Sequence, residues 1–360
     1  MQKPKYTPFL KVKANEVAAV ASLSTEILNR VTPFFDLPRK DGMTSDDFKG
    51  LVTKSAKKLV RYLGESKPFY LDNFDIPDDI KINNRANFEY IALEFSKTHF
   101  IPVIGLDRTD EHNQSVLKAK KDGLVKSDKV AIRILEDEFD NYALISKNFL
   151  ELIESAFNNF ERIVLVLDCR FCLNVSPTLH AEKLAKFIDA VTLEVKFEEV
   201  IVTGSSIPAS IAEVANSKAT CDLPRVELSI FRKLKSVVSY NKVDIGDYTV
   251  VSPMYSDLTL PPEMMQNVMA PKVIYSYDDV HFVARGGALK SHARGSLQYN
   301  DIAAIIVAKL FFRGSQYSFG DNFMEEKAKG IGPKVTPSSV LKPTINAHIT
   351  YMLNGHPLTI

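Results

Sequence analysis

Over the first two thirds of the chain, short apolar runs alternate with stretches whose apolar residues recur at helical spacing. The first run is Tyr6 to Val12, followed by an apolar stripe at Val17, Val20, Leu23, Ile27 and Leu28. Val31 to Leu37 is the second run, stopped by Pro38. The clearest helix comes next. Thr44, Ser45 and Asp46 supply capping oxygens, and Phe48, Leu51, Val52, Ala56, Leu59, Val60 and Leu63 share one face before Gly64. Strand-like runs recur at Phe69 to Leu71, Phe100 to Leu106, Val130 to Leu135, Ile163 to Leu167 and Val200 to Thr203, with Tyr248 to Val251 as the eighth. Helical spacing fills the gaps: Ala86 to Ser96, Ser115 to Lys121, a stripe from Leu144 to Phe157, a helix opened by Ser176-Pro177, and one after Pro208. Pro224 to Val238 favours a helix through Val226, Ile230, Leu234 and Val237, with a strand at Val226 to Phe231 as the alternative. Ile163 to Leu167 is almost wholly β-branched or leucine, as a parallel strand buried on both faces requires.

Eight strands separated by helices imply a parallel sheet with right-handed crossovers, and eight is a number at which such a sheet closes. The predicted fold is therefore α/β, a (β/α)8 TIM-barrel-like domain. An open doubly wound sheet is the competitor, but the chain carries neither GxGxxG nor a P-loop. After Pro253 the rhythm changes. Lys272 to Tyr277 and Val280 to Ala284 flank Asp278-Asp279 as a hairpin, predicted to cover the C-terminal end of the barrel. Asn300 to Phe312 is a candidate eighth outer helix, and Ile345 to Leu353 a final strand. Residues 1–260 then form the barrel core, and residues 261–360 a C-terminal hairpin, helix and strand packed on it.

Composition narrows the functional classes. The 360 residues are 45% hydrophobic and 25% charged, which suits one barrel of about 250 residues with an extension. The 45 basic and 44 acidic side chains give a net charge of +1, so no global field draws the chain to nucleic acid or to an anionic membrane. No stretch approaches the roughly 20 apolar residues of a membrane span, and Met1-Gln2-Lys3-Pro4-Lys5 does not lead into a signal-peptide core. Three cysteines, Cys169, Cys172 and Cys221, cannot make a disulfide framework and point to a reducing, cytoplasmic setting. The single CxxC pair, without a second pair or a nearby histidine, reads as buried free thiols before it reads as a zinc or redox site.

Several ordered pieces resemble one family. Tyr6-Thr7-Pro8-Phe9-Leu10-Lys11, then Val31-Thr32-Pro33-Phe34-Phe35-Asp36-Leu37-Pro38, is similar to the start of phage beta proteins. Leu223-Pro224-Arg225, Gly246-Asp247-Tyr248, Arg285-Gly286, Tyr317-Ser318-Phe319-Gly320-Asp321 and Ile345-Asn346-Ala347-His348-Ile349-Thr350 follow in order, so the resemblance spans nearly the whole chain. It departs at Ala347, where a second histidine is expected, and near Val340, where a tryptophan often stands. The resemblance implies a protein of phage satellites, prophages and bacterial defence islands, encoded beside a host-killing protein whose killing it counteracts. It supplies no catalytic residues.

Candidate chemistry gathers where the apolar runs end. Asp36, Asp72, Asp107, Glu136 and Asp168 each terminate a run, and barrel active sites form at that end. Arg39, Arg108 and Arg170 follow three of these acids, and Arg133 lies within a strand. The expected mouth comprises Asp36, Asp107, Arg108, Asp168 and Arg170, with Arg285 reaching it from the hairpin. Carboxylates matched by arginines make a poor metal cage, so no cofactor is expected for a binding protein, and Mg²⁺ only for an enzyme. Thr203-Gly204-Ser205-Ser206 is a lesser candidate, an anion site at a helix N-terminus. His348 reads as a structural histidine, and Tyr248, Tyr275 and Tyr277 as core or rim aromatics. Two functions remain. One is an antitoxin-like protein that binds and neutralises or regulates a toxic effector encoded by a neighbouring gene, using the edges and loops of the C-terminal hairpin and strand for contact. The alternative is a metal-assisted phosphodiesterase acting through the mouth carboxylates. The balanced charge and the absence of a legible catalytic motif favour the first.

Overall fold

The structure is a computed structural model that describes residues 4–255 and 269–358. In chain order its strands are β1 (Tyr6–Lys11), β2 (Phe34–Asp36), β3 (Phe69–Asp72), β4 (Phe100–Gly105), β5 (Lys129–Leu135), β6 (Arg162–Phe171), β7 (Glu199–Ser205), β8 (Ala219–Pro224), β9 (Val243–Asp247), β10 (Lys272–Tyr277) and β11 (Val280–Arg285). β1 to β7 and β9 close into one barrel in which every neighbouring pair is parallel. The eighth barrel strand is thus Val243–Asp247, not Tyr248 to Val251. Thr249 turns the chain out of the sheet with a left-handed φ of 56°, and its N–H bonds back to Asp247 Oδ1 at 2.8 Å.

Barrel closure follows from the alternation within each strand. One set of side chains fills the interior: Phe9, Phe34, Tyr70, Ile101, Val103, Ala131, Val164, Val166, Ile201 and Tyr248. Phe9 stacks on Phe34 at 4.4 Å and Phe34 on Tyr70 at 5.4 Å, opposite the smaller Ala131 and valines. Large rings on one wall and β-branched side chains on the other fill the bore as a packed core rather than a pore. The other set faces the helices: α1 (Ala14–Ala21), α2 (Thr25–Arg30), α3 (Ser45–Leu63), α4 (Asn87–Phe95), α5 (Asp110–Lys121), α6 (Glu136–Phe139), α7 (Tyr142–Phe157), α8 (Pro177–Glu194) and α9 (Val226–Val237). Two of their starts are the ones the sequence marks: Thr44 and Asp47 close a capping box on α3, and Ser176 with Pro177 opens α8. α5 starts earlier than the expected Ser115, at Asp110 under a Thr109 cap.

The C-terminal third differs most from expectation. α10 (Gln298–Val307), α11 (Phe319–Ala328) and α12 (Leu341–Asn354) follow the hairpin. The expected final strand is the helix α12, buried without a break from Pro343 to Leu353. A run buried on all sides carries neither a period of 2 nor one of 3.6, so pattern alone cannot separate strand from helix. α12 packs on α1 and β1, and so takes the eighth outer position, while α10 packs on the small sheet. The hairpin β10–β11 does not cap the barrel. β11 pairs antiparallel with β8, making a three-stranded sheet that draws strands from both sides of position 260. The proposed boundary at 260–261 itself lies outside the described residues. After Pro208 only a 3₁₀ turn forms, Ile211–Glu213. Among the described residues no helix is long and apolar enough to cross a membrane.

Candidate functional site: a self-neutralised barrel mouth

Arg133 organises the C-terminal end of the barrel. β5 carries it at the level of Gly105 on β4 and Val166 on β6, and none of its side chain is exposed. All five guanidinium N–H groups are used. Nε and Nη2 donate to Asp168 Oδ2 at 3.1 and 2.6 Å, and Nη2 also to Tyr248 Oη at 2.8 Å. Nη1 donates to Asp36 Oδ1 at 2.9 Å and to Asp72 Oδ2 at 2.8 Å. The Tyr248 hydroxyl donates in turn to Asp168 Oδ2 at 2.6 Å. Three carboxylates from β2, β3 and β6 therefore converge on one cation, whose planar fork suits such convergence.

A second layer sits above this hub. Arg108 donates to both oxygens of Asp72 at 2.8 and 2.9 Å and to Asp107 at 2.6 Å. Arg170 follows an irregularity in the β6–β7 register and holds a left-handed φ of 50°. That backbone strain aims its N–H at Asp168 Oδ1, at 2.8 Å, and its guanidinium at the carbonyl of Pro253, at 3.0 Å. The ring of Phe74 lies among three guanidiniums, with the carbons of Arg133, Arg170 and Arg108 at 4.4, 4.7 and 4.9 Å from its centroid. Tyr255 closes the top. Lys11 Nζ stands 3.3 Å from its ring centroid, and its hydroxyl donates to Asp75 at 2.9 Å. Among the described residues a pocket of about 440 Å³ stays open, rimmed by Arg39, Phe74, Asp75, Arg170 and Tyr255.

The electrostatics are those of a closed network. Burial pushes the Asp36 carboxyl up to about 6, against the pull of Arg133. Burial also raises Asp107. Asp72 goes the other way: Arg108 and Arg133 outweigh its burial and hold it below the usual range. Burial and Asp168 together keep Tyr248 protonated far above its ordinary value. No group of three or more His, Cys, Asp or Glu side chains suited to a metal ion occurs among the described residues.

Of the residues expected at the mouth, Asp36, Asp107, Arg108, Asp168 and Arg170 come together, joined through Arg133 and Asp72. Arg285 does not join them. It ends β11 and donates to the carbonyl of Ala215 at 2.8 Å. Glu136 opens α6 and approaches His180 at 3.5 Å. The Thr203–Ser206 segment opens no helix of its own but meets the start of α9, where Ser206 Oγ accepts from Val226 N–H and donates to Glu227, both at 2.7 Å, so that the helix's own carboxylate takes the place expected of an anion. Cys169 and Cys172 are buried free thiols, pushed up by burial. The sequence does not single out Phe74, Asp75 or Tyr255, which come from loops. Arg133 does carry a signal, as an arginine inside an apolar strand.

A second buried network ties the barrel to the C-terminal layer. Asp247, at the end of β9, accepts from Tyr6 at 2.7 Å, Arg225 at 2.6 Å and His348 Nε2 at 3.0 Å. His348 Nδ1 then faces Ser276 Oγ at 2.6 Å, and His281 Nδ1 faces the same oxygen at 2.9 Å. Serine, histidine and aspartate thus line up, but Ser276 is only 1% exposed, so no substrate reaches it and the chain of bonds acts as a lock. His348 does its structural work from a helix rather than from a strand.

The hub and the lock rest on the residues that carry the resemblance noted above: Asp36, the Leu223-Pro224-Arg225 and Gly246-Asp247-Tyr248 segments, and His348. No curated protein matches the chain. A family model does match it, described as Beta protein, over residues 6–354, from the first strand to the end of the last helix. The chain belongs to the Beta protein family.

Proposed function

We propose that this chain is a binding protein of a phage-borne antiviral module, which holds a toxic effector encoded by a neighbouring gene inactive, and that the barrel mouth is part of its recognition face. The observation that carries the reading is the complete pairing of Arg133 with Asp36, Asp72 and Asp168. A catalytic mouth keeps a carboxylate free as a base or metal ligand. Here the acids serve as a pedestal for the arginines. Among the described residues the side chains left at the rim are Arg39, Arg170, Phe74 and Tyr255, with one carboxylate, Asp75, held by the Tyr255 hydroxyl and Lys11. Arginine and aromatic residues are those that dominate binding energy at protein interfaces. The partner class is the one the resemblance to phage beta proteins implies, a host-killing protein encoded next to this one.

Co-expression tests this. The neighbouring gene alone is expected to arrest growth, and the wild-type chain to restore it and to co-purify with the product as one complex. Equal arrest with and without the chain, or no complex on gel filtration, contradicts the reading. Metal-dependent phosphodiester hydrolysis that EDTA abolishes would establish the phosphodiesterase instead.

A further inference from the structure

Among the described residues the ring of outer helices has a gap. α3 packs on α4, α4 on α5, and α8 on α9, but between α5 and α7 the surface opens into a groove of about 800 Å³. Its floor is apolar, made by Leu106, Leu117, Ile145 and Leu152. On α7 the groove-facing residues Ile145, Asn148, Leu152 and Ser155 follow helical spacing, next to Phe149, Ile153 and Ala156, which α7 buries fully. Ile145 and Leu152 pack against the core on one side and are half-open to the groove on the other, while Asn148 is exposed. Leu144 stands one turn before Asn148 and is 83% exposed, which extends the groove-facing side to the rim. The groove runs along about ten residues of α7, or roughly 15 Å, which matches about three turns of a docked helix.

The charge of the groove selects its occupant. Asp110, Glu138 and Glu151 line it, Glu151 in an exposed pair with Lys147 at 3.9 Å, and Arg108 is the cation among the lining residues. Arg108 is tied to Asp72 and Asp107 and offers no net charge to a ligand. Its Nε is buried without an acceptor, on a side chain only 5% exposed, so Arg108 adds neither charge nor an open donor to the groove. Burial, together with Asp107 and Asp137, pushes Glu138 up to about 7 against the N–H of Leu135. A cation brought into the groove would relieve that carboxyl.

We infer that the α5–α7 groove docks an amphipathic helix of the partner protein, with its apolar stripe on Leu117, Ile145 and Leu152 and lysines or arginines beside Asp110, Glu138 and Glu151. The mode is helix-in-groove recognition, with anchors at i, i+3 or i+4 and i+7. This inference rests on the effector-binding reading and names a surface that adjoins the mouth at Arg108.

The test uses the full chain and the product of the neighbouring gene. Two variants alter the groove at exposed positions: Asp110→Lys with Glu151→Lys reverses its charge, and Gln114→Trp with Asn148→Trp fills it. Glu182→Lys, on the exposed side of α8, is the control, and thermal melts confirm that each variant folds. The expected result is a complex with wild type and with the control, weakened about 30-fold or more in both groove variants. Amide exchange of residues 110–121 and 142–157 is expected to slow in the wild-type complex. Wild-type affinity in both folded groove variants overturns the groove and leaves the effector reading standing. No complex with wild type overturns both. If the groove variants instead change the mass of the chain alone in solution, the occupant is a second copy, and the inference fails.

Discussion

The side chain on which the mouth turns is Arg133. A fully buried guanidinium with three carboxylates is stable only while every partner remains, because removing one member leaves an uncompensated charge in a medium of low polarity. Arg133→Met is expected to lower stability by about 3–5 kcal/mol, read as the midpoint of chemical denaturation. Retention of wild-type stability would show that the hub is dispensable. Asp168→Asn should behave as a milder form of the same lesion, since Asp168 accepts from Arg133, Tyr248 and the Arg170 N–H. Arg170→Ala is predicted to do the reverse, keeping the melting temperature near wild type while weakening partner binding. A stable Arg170→Ala that binds fully would remove the rim from recognition. At this scale the sequence is informative where a charge ends an apolar run, which is how Asp36, Asp107 and Asp168 stand out. It is silent on Phe74 and Tyr255, because aromatic residues in loops look alike until the fold brings three arginines around one of them.

Among the elements, the barrel strands and capped helices are legible because each needs one period and one boundary signal, as α3 shows with its Thr44 cap and Gly64 stop. α12 is not legible, because burial on every side erases its period. Its packing explains the Gly320 in Tyr317-Ser318-Phe319-Gly320-Asp321. A Cβ at Gly320 would lie 2.0 Å from the Pro343 carbonyl oxygen and 2.7 Å from the Ala347 Cβ, so α11 can reach α12 only through a glycine. Gly320→Ala is predicted to force the two helices apart and to cost about 1–3 kcal/mol, as overpacking of a tight core does. An unchanged melting temperature would contradict this contact. β8 escapes sequence reading for another reason. It belongs to a sheet whose remaining strands, β10 and β11, lie some fifty residues further on, and alternation says nothing about so distant a partner.

For the molecule as a whole, the lock around Asp247 makes folding depend on pH. Burial lowers His348 below its ordinary range and lowers His281 further, with Arg225 adding to both, and His112, His180 and His356 are lowered by burial as well. The unfolded chain takes up protons near pH 6.5, which the folded chain refuses. The share of stability that these histidines carry is therefore full above about pH 6.5 and falls as the pH drops below it. Asp36 and Glu138, raised by burial to about 6 and about 7, take up protons in the folded chain and act in the opposite direction. Asp247, held far below the usual carboxylate range by His348 and Arg225 despite its burial, adds a further loss in the acid range below about pH 4. Between pH 7.5 and 5 the melting temperature of His281→Gln should lose less, relative to its own value at pH 7.5, than that of wild type, because the variant lacks one buried neutral imidazole. Parallel wild-type and His281→Gln profiles would contradict a neutral His281. The central claim, that this barrel binds rather than cleaves, is tested most directly by titration calorimetry of the purified chain against the product of its neighbouring gene, with Mg²⁺ and with EDTA. The account predicts a saturable complex of the same affinity in both buffers. No heat of binding, or binding that requires the metal and is followed by turnover, would contradict it.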